Sequence, residues 1–219
     1  MRLRPSGRAG PVAVSLEAFR HYQNEEAWTW EHMALTRLRF VCGDAALGTT
    51  VHQIAADAIC ARARSPRRKQ IPSDITEMRQ TLYREKPGKG LWDLKMEQGG
   101  LIDIEFMAQQ EMLLRARPDL VRANTGRALS SLSEADEPDS EDWCFLRAAL
   151  NLVSSMQQLQ RLALGTESEG QTLPEGLKNR MCRAAGEVEF TALEARLGEV
   201  KARVHRLARE KLHLPATET

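Results

Sequence analysis

From Ser15 to Leu212 the apolar residues of this chain recur at three- and four-residue spacing, block after block, the pattern that turns one stripe of a helix toward a core. Ser15 is a good N-cap with Glu17 in the first turn behind it, and Leu16, Phe19, Met33, Leu38 and Val41 follow along one long segment that Gly43 and Asp44 end. A second helix is predicted over Thr49–Arg64, with Val51, Ile54, Ala55, Ala58 and Ile59 on one stripe, stopped by Pro66. Pro72 and Ser73 open a third, carrying Ile75, Met78 and Leu82 up to the loop Lys86-Pro87-Gly88-Lys89-Gly90. An extended piece, Leu91–Gln98, leads into Gly99-Gly100, after which Leu101–Arg117 is helical, Pro118 breaks it and Leu120–Leu132 resumes. The acidic run Glu134–Asp142 reads as a linker, and the blocks Trp143–Leu164 and Leu177–Leu212 flank a polar loop. Only Met1–Ser15 differs, with two short strand-like pieces, around Leu3 and at Val12–Val14, on either side of a turn. The expected fold is mainly α, a helical bundle following a short β remnant, divided as 1–43, 44–135 and 136–219. No repeat of solenoid length is present.

Charge and cysteine usage narrow the partners. Thirty-one basic residues nearly cancel thirty acidic ones, leaving +1, so no global field attracts nucleic acid or an anionic membrane. No apolar run reaches the roughly 18 residues needed for a membrane span, and Met1–Gly10 lacks the apolar core of a secretion signal. Cys42, Cys60, Cys144 and Cys182 stand apart, without a C-x-x-C pair, and read as reduced thiols of a cytoplasmic protein.

Three clusters stand above this background. In the first, Arg2 and Arg4 share a face if Met1–Arg4 is a strand, and Ser6 and Gly7 begin a turn with free amides beyond them. Two guanidinium forks beside such a turn suit a phosphate chain; the plainer account is a basic tail on an ordinary turn. In the second, Trp28 and Trp30 lie two apart in a predicted helix and face different ways, with His32 beside them as a structural histidine or a titrating group. The third is Asp93-x-Lys95-x-x-x-Gly99-Gly100-x-x-Asp103-x-Glu105. Alternation puts Asp93 and Lys95 on one face of an extended segment, and Asp103 and Glu105 fall in the first turn of the next helix. Two accounts are open: a helix with a charged first turn, or a lysine, an amide-rich turn and two acids lining a cleft where a phosphorylated substrate meets Mg²⁺. The Lys86–Gly90 loop lacks the spacing of a phosphate-cradling P-loop, and Arg67-Arg68-Lys69 reads as a solvated connection.

Three stretches in this order, MRLRPSGRAG, AWTWEHMALTRLRFVCGD and DLKMEQGGLIDIEF, resemble the glutamine synthetase adenylyltransferase/adenylyl-removing enzymes of bacteria. The resemblance covers Met1 to about Gln110 by motif, and the later helices by character. The Pro5-Ser6-Gly7 turn and the Ala27–His32 run look like the C-terminal half of that family, which attaches AMP from ATP to a tyrosine of glutamine synthetase and so regulates nitrogen metabolism. The resemblance therefore implies a nucleotidyltransferase (polymerase-β-like) domain at the start of the chain, ATP and Mg²⁺ as cofactors, and glutamine synthetase, PII signal protein and the effector glutamine as partners. It implies nucleotide-site roles for Arg2, Arg4, Ser6, Gly7, Lys95, Gly99 and Gly100, with Asp103 and Glu105 as candidate catalytic acids. The family's main carboxylates are expected upstream of Met1, so no metal ligand is assigned here and the chain alone is expected to be inactive. The alternative is a non-catalytic helical module that binds glutamine synthetase or PII. A uridylyltransferase relative would show a His-Asp metal motif downstream, where only His205 and His213 occur.

Overall fold

A computed structural model describes residues 13–135, 139–165 and 173–215. Among these residues there are nine α-helices and no strand. The strand-like piece around Leu3 and the phosphate-turn residues Arg2, Arg4, Ser6 and Gly7 lie outside the described residues. The second predicted strand is corrected: Ala13 to Ser15 form a bend and coil leading to a helix N-terminus.

Two compact units divide the chain, one of residues up to Ile75 with Ala108–Ser131, the other of Thr76–Met107 with residues from Leu132 onward. In the first unit, α1 (Leu16–Glu25) and α2 (Thr29–Leu35) pack on α3 (Ala45–Arg64). α3 presents Ile54, Ala55, Ala58, Ile59 and Ala63 to the core, and its small residues let neighbouring backbones come close.

The single long N-terminal helix is corrected to two. α1 stops where Glu26 and Ala27 both donate N–H bonds to the Tyr22 carbonyl, and α2 starts afresh with the Trp28 N–H donating to Glu31 Oε2 at 2.9 Å. Glu31 also accepts from the Tyr22 hydroxyl at 2.9 Å, so one buried carboxylate fixes the corner between the helices. Trp28 therefore precedes its helix and stands 69% exposed, while Trp30 lies half-buried on α2. His32 Nε2 donates to the Gln23 carbonyl at 2.9 Å, and burial pushes the pKa of His32 down to about 4.

A 3-10 turn over Pro66–Gln70 joins α3 to α4 (Ile71–Glu85). The cluster Arg67-Arg68-Lys69 is more than a solvated connection. Arg67 donates to the Glu25 carbonyl at 3.1 Å, and Arg68 donates twice to the Leu114 carbonyl at 3.3 Å, so the two cations cover the carbonyl ends of α1 and α5 (Leu101–Leu114). The predicted helix at Leu120–Leu132 is a 3-10 turn, Pro118–Leu120, followed by α6 (Thr125–Ala135).

In the second unit, α7 (Ser140–Leu164), α8 (Glu175–Ala185) and α9 (Phe190–Lys211) enclose a core of Val153, Met156, Leu177, Met181, Leu193 and Leu197, completed by Leu94 and Leu101. The expected continuous block Leu177–Leu212 is corrected to two helices: Gly186 adopts φ +74° and ends α8, because a left-handed residue cannot continue a right-handed helix. All four cysteines are free, Cys42 and Cys144 exposed, Cys60 and Cys182 buried. No helix among the described residues is long and apolar enough to cross a membrane.

Candidate functional site: a latched turn at the start of α5

The segment 91–98 is not extended. It runs as successive turns between Gly90 and the start of α5, and this corrects the shared face expected for Asp93 and Lys95. The reason lies in Asp93, whose carboxylate accepts backbone N–H bonds from Met96 at 2.9 Å, Lys95 at 3.2 Å and Lys89 at 3.3 Å. A short acidic side chain that bonds its own downstream amides folds the chain back instead of extending it. Glu97 closes the other side by accepting from the Gly90 N–H at 2.9 Å.

The amides at the start of α5 are spent inside this turn. Gly99 N–H donates to Asp103 Oδ2 at 2.6 Å, Gly100 to the Glu97 carbonyl at 2.8 Å, Leu101 to the Leu94 carbonyl at 3.0 Å and Ile102 to the Lys95 carbonyl at 3.3 Å. Gly99 has φ +75°, and a Cβ there would sit 1.9 Å from the Lys201 carbonyl oxygen. A Cβ on Gly100 would come within 2.8 Å of two carbonyls. Packing against backbone thus demands both glycines.

Asp103 is fully buried and its oxygens are surrounded. Oδ1 accepts from Arg79 Nε at 2.6 Å and from the Tyr83 hydroxyl at 2.9 Å; Oδ2 takes the Gly99 amide. Arg79 lies on α4, four residues before Tyr83, so both side chains share one face, and its guanidinium carbon sits 3.4 Å from the Tyr83 ring centroid. Arg79 also donates to the Met96 carbonyl at 3.2 Å. Burial, then the Asp103 charge, pushes the Tyr83 pKa up, so the phenol keeps its proton and remains a donor.

From α9, the buried Lys201 ammonium donates to the carbonyls of Leu91 and Asp93, each at 3.0 Å. Burial lowers its pKa to about 8, opposed by the charges of Glu97, Asp93 and Asp103. Trp92 stacks on Phe190 at 5.3 Å between centroids and donates its indole N–H to Glu194 at 3.0 Å, while Gln160 of α7 donates to the Trp92 carbonyl. The turn is therefore held from α4, α5, α7 and α9.

Of the residues predicted from sequence, Asp93, Gly99, Gly100 and Asp103 meet in this latch. Lys95 stands exposed on its surface and Glu105 is half-buried on α5. Arg79, Tyr83 and Lys201 were not singled out. The i, i+4 pair Arg79/Tyr83 on an amphipathic helix was a readable signal, whereas nothing in the sequence joins Lys201 to a loop over a hundred residues earlier. Asp103 does not fit a Mg²⁺ site, because its lone pairs face donors already in place, and the described residues include no group of three His, Cys, Asp or Glu able to hold a metal ion.

A family model described as glutamate-ammonia ligase adenylyltransferase matches residues 1–54. The chain is also similar, over nearly its whole length, to curated proteins named bifunctional glutamine synthetase adenylyltransferase/adenylyl-removing enzyme. It is 44% identical over 204 residues to that of Caulobacter vibrioides, covering 92% of this chain and 20% of the relative. With the Bradyrhizobium diazoefficiens protein the identity is 40% over 214 residues, covering 97% of this chain and 21% of the relative. The Agrobacterium fabrum protein is 40% identical over 205 residues, 92% of this chain and 20% of the relative. The chain thus spans about one fifth of the length of the curated relatives it matches.

Proposed function

We propose that this chain, homologous to one fifth of the bifunctional adenylyltransferase/adenylyl-removing enzymes, acts as part of the half that transfers AMP from ATP to a tyrosine of glutamine synthetase. The observation that carries the reading is the 44% identity across 204 residues with the Caulobacter protein. In that reaction the tyrosine oxygen bonds to the α-phosphorus as the bond to diphosphate breaks and the phenolic proton is lost. The described residues do not fit the metal that such chemistry uses, so no step is assigned to Mg²⁺ here, and the chain alone is inactive on this reading.

The latched turn supports a positioning role. Asp103, Arg79, Lys201 and the two glycines hold the turn, and Lys95 extends from it as the side chain that meets nucleotide phosphate, with Glu105 nearby on α5. Arg2, Arg4, Ser6 and Gly7 add phosphate contacts from the N-terminal segment. PII signal protein and glutamine act on the whole enzyme, in the cytoplasm.

The test is an exchange. The matching fifth of the Caulobacter enzyme is replaced by this chain, and AMP transfer from α-phosphate-labelled ATP to purified glutamine synthetase is measured. The exchanged enzyme should label glutamine synthetase and the isolated chain should not; a folded exchanged enzyme without label transfer overturns the reading. The all-helical character of the described residues also favours a second reading, a docking module for glutamine synthetase or PII. Co-sedimentation of the isolated chain with either protein at tens of micromolar separates it from the first.

A further inference from the structure

The near-neutral total charge of the chain hides a segregation of charge in the first unit. Residues 61–70 and 114–123 carry seven arginines and one lysine against the single acid Asp119, so in a chain whose total is +1 the remaining residues together carry −6. Hydrogen bonds join the two stretches: Arg68 donates from Nε and Nη2 to the Leu114 carbonyl, and Arg64 donates to the Ala116 carbonyl, each at 3.3 Å. Arg62 is buried beside Asp74 and Arg115 is half-buried on Glu111. The other six cations, Arg64, Arg67, Arg68, Lys69, Arg117 and Arg122, are exposed.

Trp28 stands at the border of this patch. Arg67 donates to the Glu25 carbonyl at 3.1 Å, at the corner where α1 gives way to α2, and from the same corner the Trp28 side chain emerges 69% exposed. Tryptophan and arginine are the side chains that most often anchor protein–protein contacts. Here they are set in advance: Arg64, Arg67 and Arg68 lie on backbone carbonyls, Arg117 on Asp119, and the Trp28 backbone N–H on Glu31. Less freedom is then lost when a partner binds.

The charge pattern states the chemistry of the occupant. Guanidinium forks held in place pair with carboxylates. A long polyanion would also meet the negative remainder of the chain, and a single strand would find one exposed indole where it needs a row of stacking rings. An acidic face of a folded protein meets the patch alone, and Glu25 and Glu26, exposed at the end of α1, limit that patch on the Trp28 side.

We infer that Trp28 and the exposed cations at the end of α3 dock an acidic face of the folded protein that the enzyme modifies, which rests on the reading above for that protein being glutamine synthetase.

The Caulobacter enzyme carrying this chain is the protein to test, and its affinity for purified glutamine synthetase is measured by biolayer interferometry. Raising the ionic strength from about 0.05 to about 0.2 M should weaken binding severalfold. Trp28→Ala and Lys69→Glu change exposed side chains, and each should weaken binding about tenfold at an unchanged melting temperature. In AMP transfer the same variants should raise KM for glutamine synthetase about tenfold while kcat holds. Absence of binding at tens of micromolar, affinity that ignores salt, or affinity that either variant leaves unchanged overturns the inference. So does a single-stranded DNA oligonucleotide that binds as tightly and competes, or a dimer of the enzyme that Lys69→Glu dissociates, since either gives the face another occupant. An exchanged enzyme that binds glutamine synthetase through this face yet transfers no AMP fails the functional reading alone; one that transfers AMP with KM unchanged in both variants fails the docking alone.

Discussion

Arg79 and Asp103 form an ion pair at 2.6 Å with neither side chain exposed, and the same carboxylate holds the Gly99 amide in the turn just before α5. Taking two charges out of water is costly, and here the cost is offset by a full set of donors around the carboxylate. The pair therefore matters more when half of it is removed than its net contribution suggests.

Asp103→Ala leaves Arg79 buried without its anion and should lower stability by about 3–5 kcal/mol. Arg79→Met combined with Asp103→Leu should cost less than the sum of the two single changes, since no lone charge stays behind. Urea denaturation followed by circular dichroism measures all of these; a double variant as unstable as the sum contradicts the account.

Gly99→Ala and Gly90→Ala both place a side chain at positive φ, +75° and +97°, but only the first meets backbone. Gly90→Ala should cost about 1–2 kcal/mol from conformation alone. Gly99→Ala adds a collision with the Lys201 carbonyl and should cost clearly more, seen as a larger fall in melting temperature.

His32 has its folded-state pKa lowered to about 4 from an ordinary 6.5, chiefly by burial. The unfolded chain then binds the proton that the folded chain rejects, so stability falls as pH drops from about 6.5 toward 4. The slope from this group approaches about 1.4 kcal/mol per pH unit within that window. His32→Gln should flatten this part of the pH profile, and NMR titration of the imidazole should find no protonation near pH 6.

Lys201 gives the opposite end of the scale. Its pKa, lowered to about 8 from 10.5, means that the folded state sheds a proton the unfolded chain still holds. Its contribution to stability thus rises with pH between about 8 and 10.5. Relative to Lys201→Met, the unmodified chain should gain stability across pH 8 to 10; parallel profiles would exclude the assignment. Tyr83, whose pKa is raised, loses stability for the fold only above its ordinary value near 10, so the lower part of the window belongs to Lys201.

Lys95 separates fold from function. Its side chain is exposed, so Lys95→Ala should leave the unfolding free energy within about 0.5 kcal/mol of unchanged. In the exchanged Caulobacter enzyme the same change should reduce AMP transfer by about ten- to a hundredfold, the range of a lost charged hydrogen bond.

The helices were legible because their apolar stripes are local, and Ile54, Ala58 and Ile59 take the core positions that their spacing implies. What was missed depends on single polar side chains. The break before α2 rests on Glu31 reaching back to the Trp28 amide, and a tryptophan at that position carries no cap signal. Leu91–Gln98 alternates like a strand, yet the Asp93 carboxylate takes the neighbouring amides and turns it. Gly186 did mark a helix end, but it sits between two amphipathic runs whose spacing reads straight through it. The motif around Gly99 was found by its residue types, whereas its partners Arg79 and Lys201 come from other helices, and spacing along the chain does not show them.

Lys201 also ties the timing of two segments together. Its ammonium binds carbonyls at Leu91 and Asp93, and its own carbonyl lies against Gly99, so opening the irregular turn has to break its contacts with α9. Loop amides ordinarily exchange with solvent by small local openings. Here the protected amides of Met96, Gly99 and Leu101 should exchange only when those contacts break, which ties a turn of eleven residues, 90–100, to a helix that begins ninety residues later.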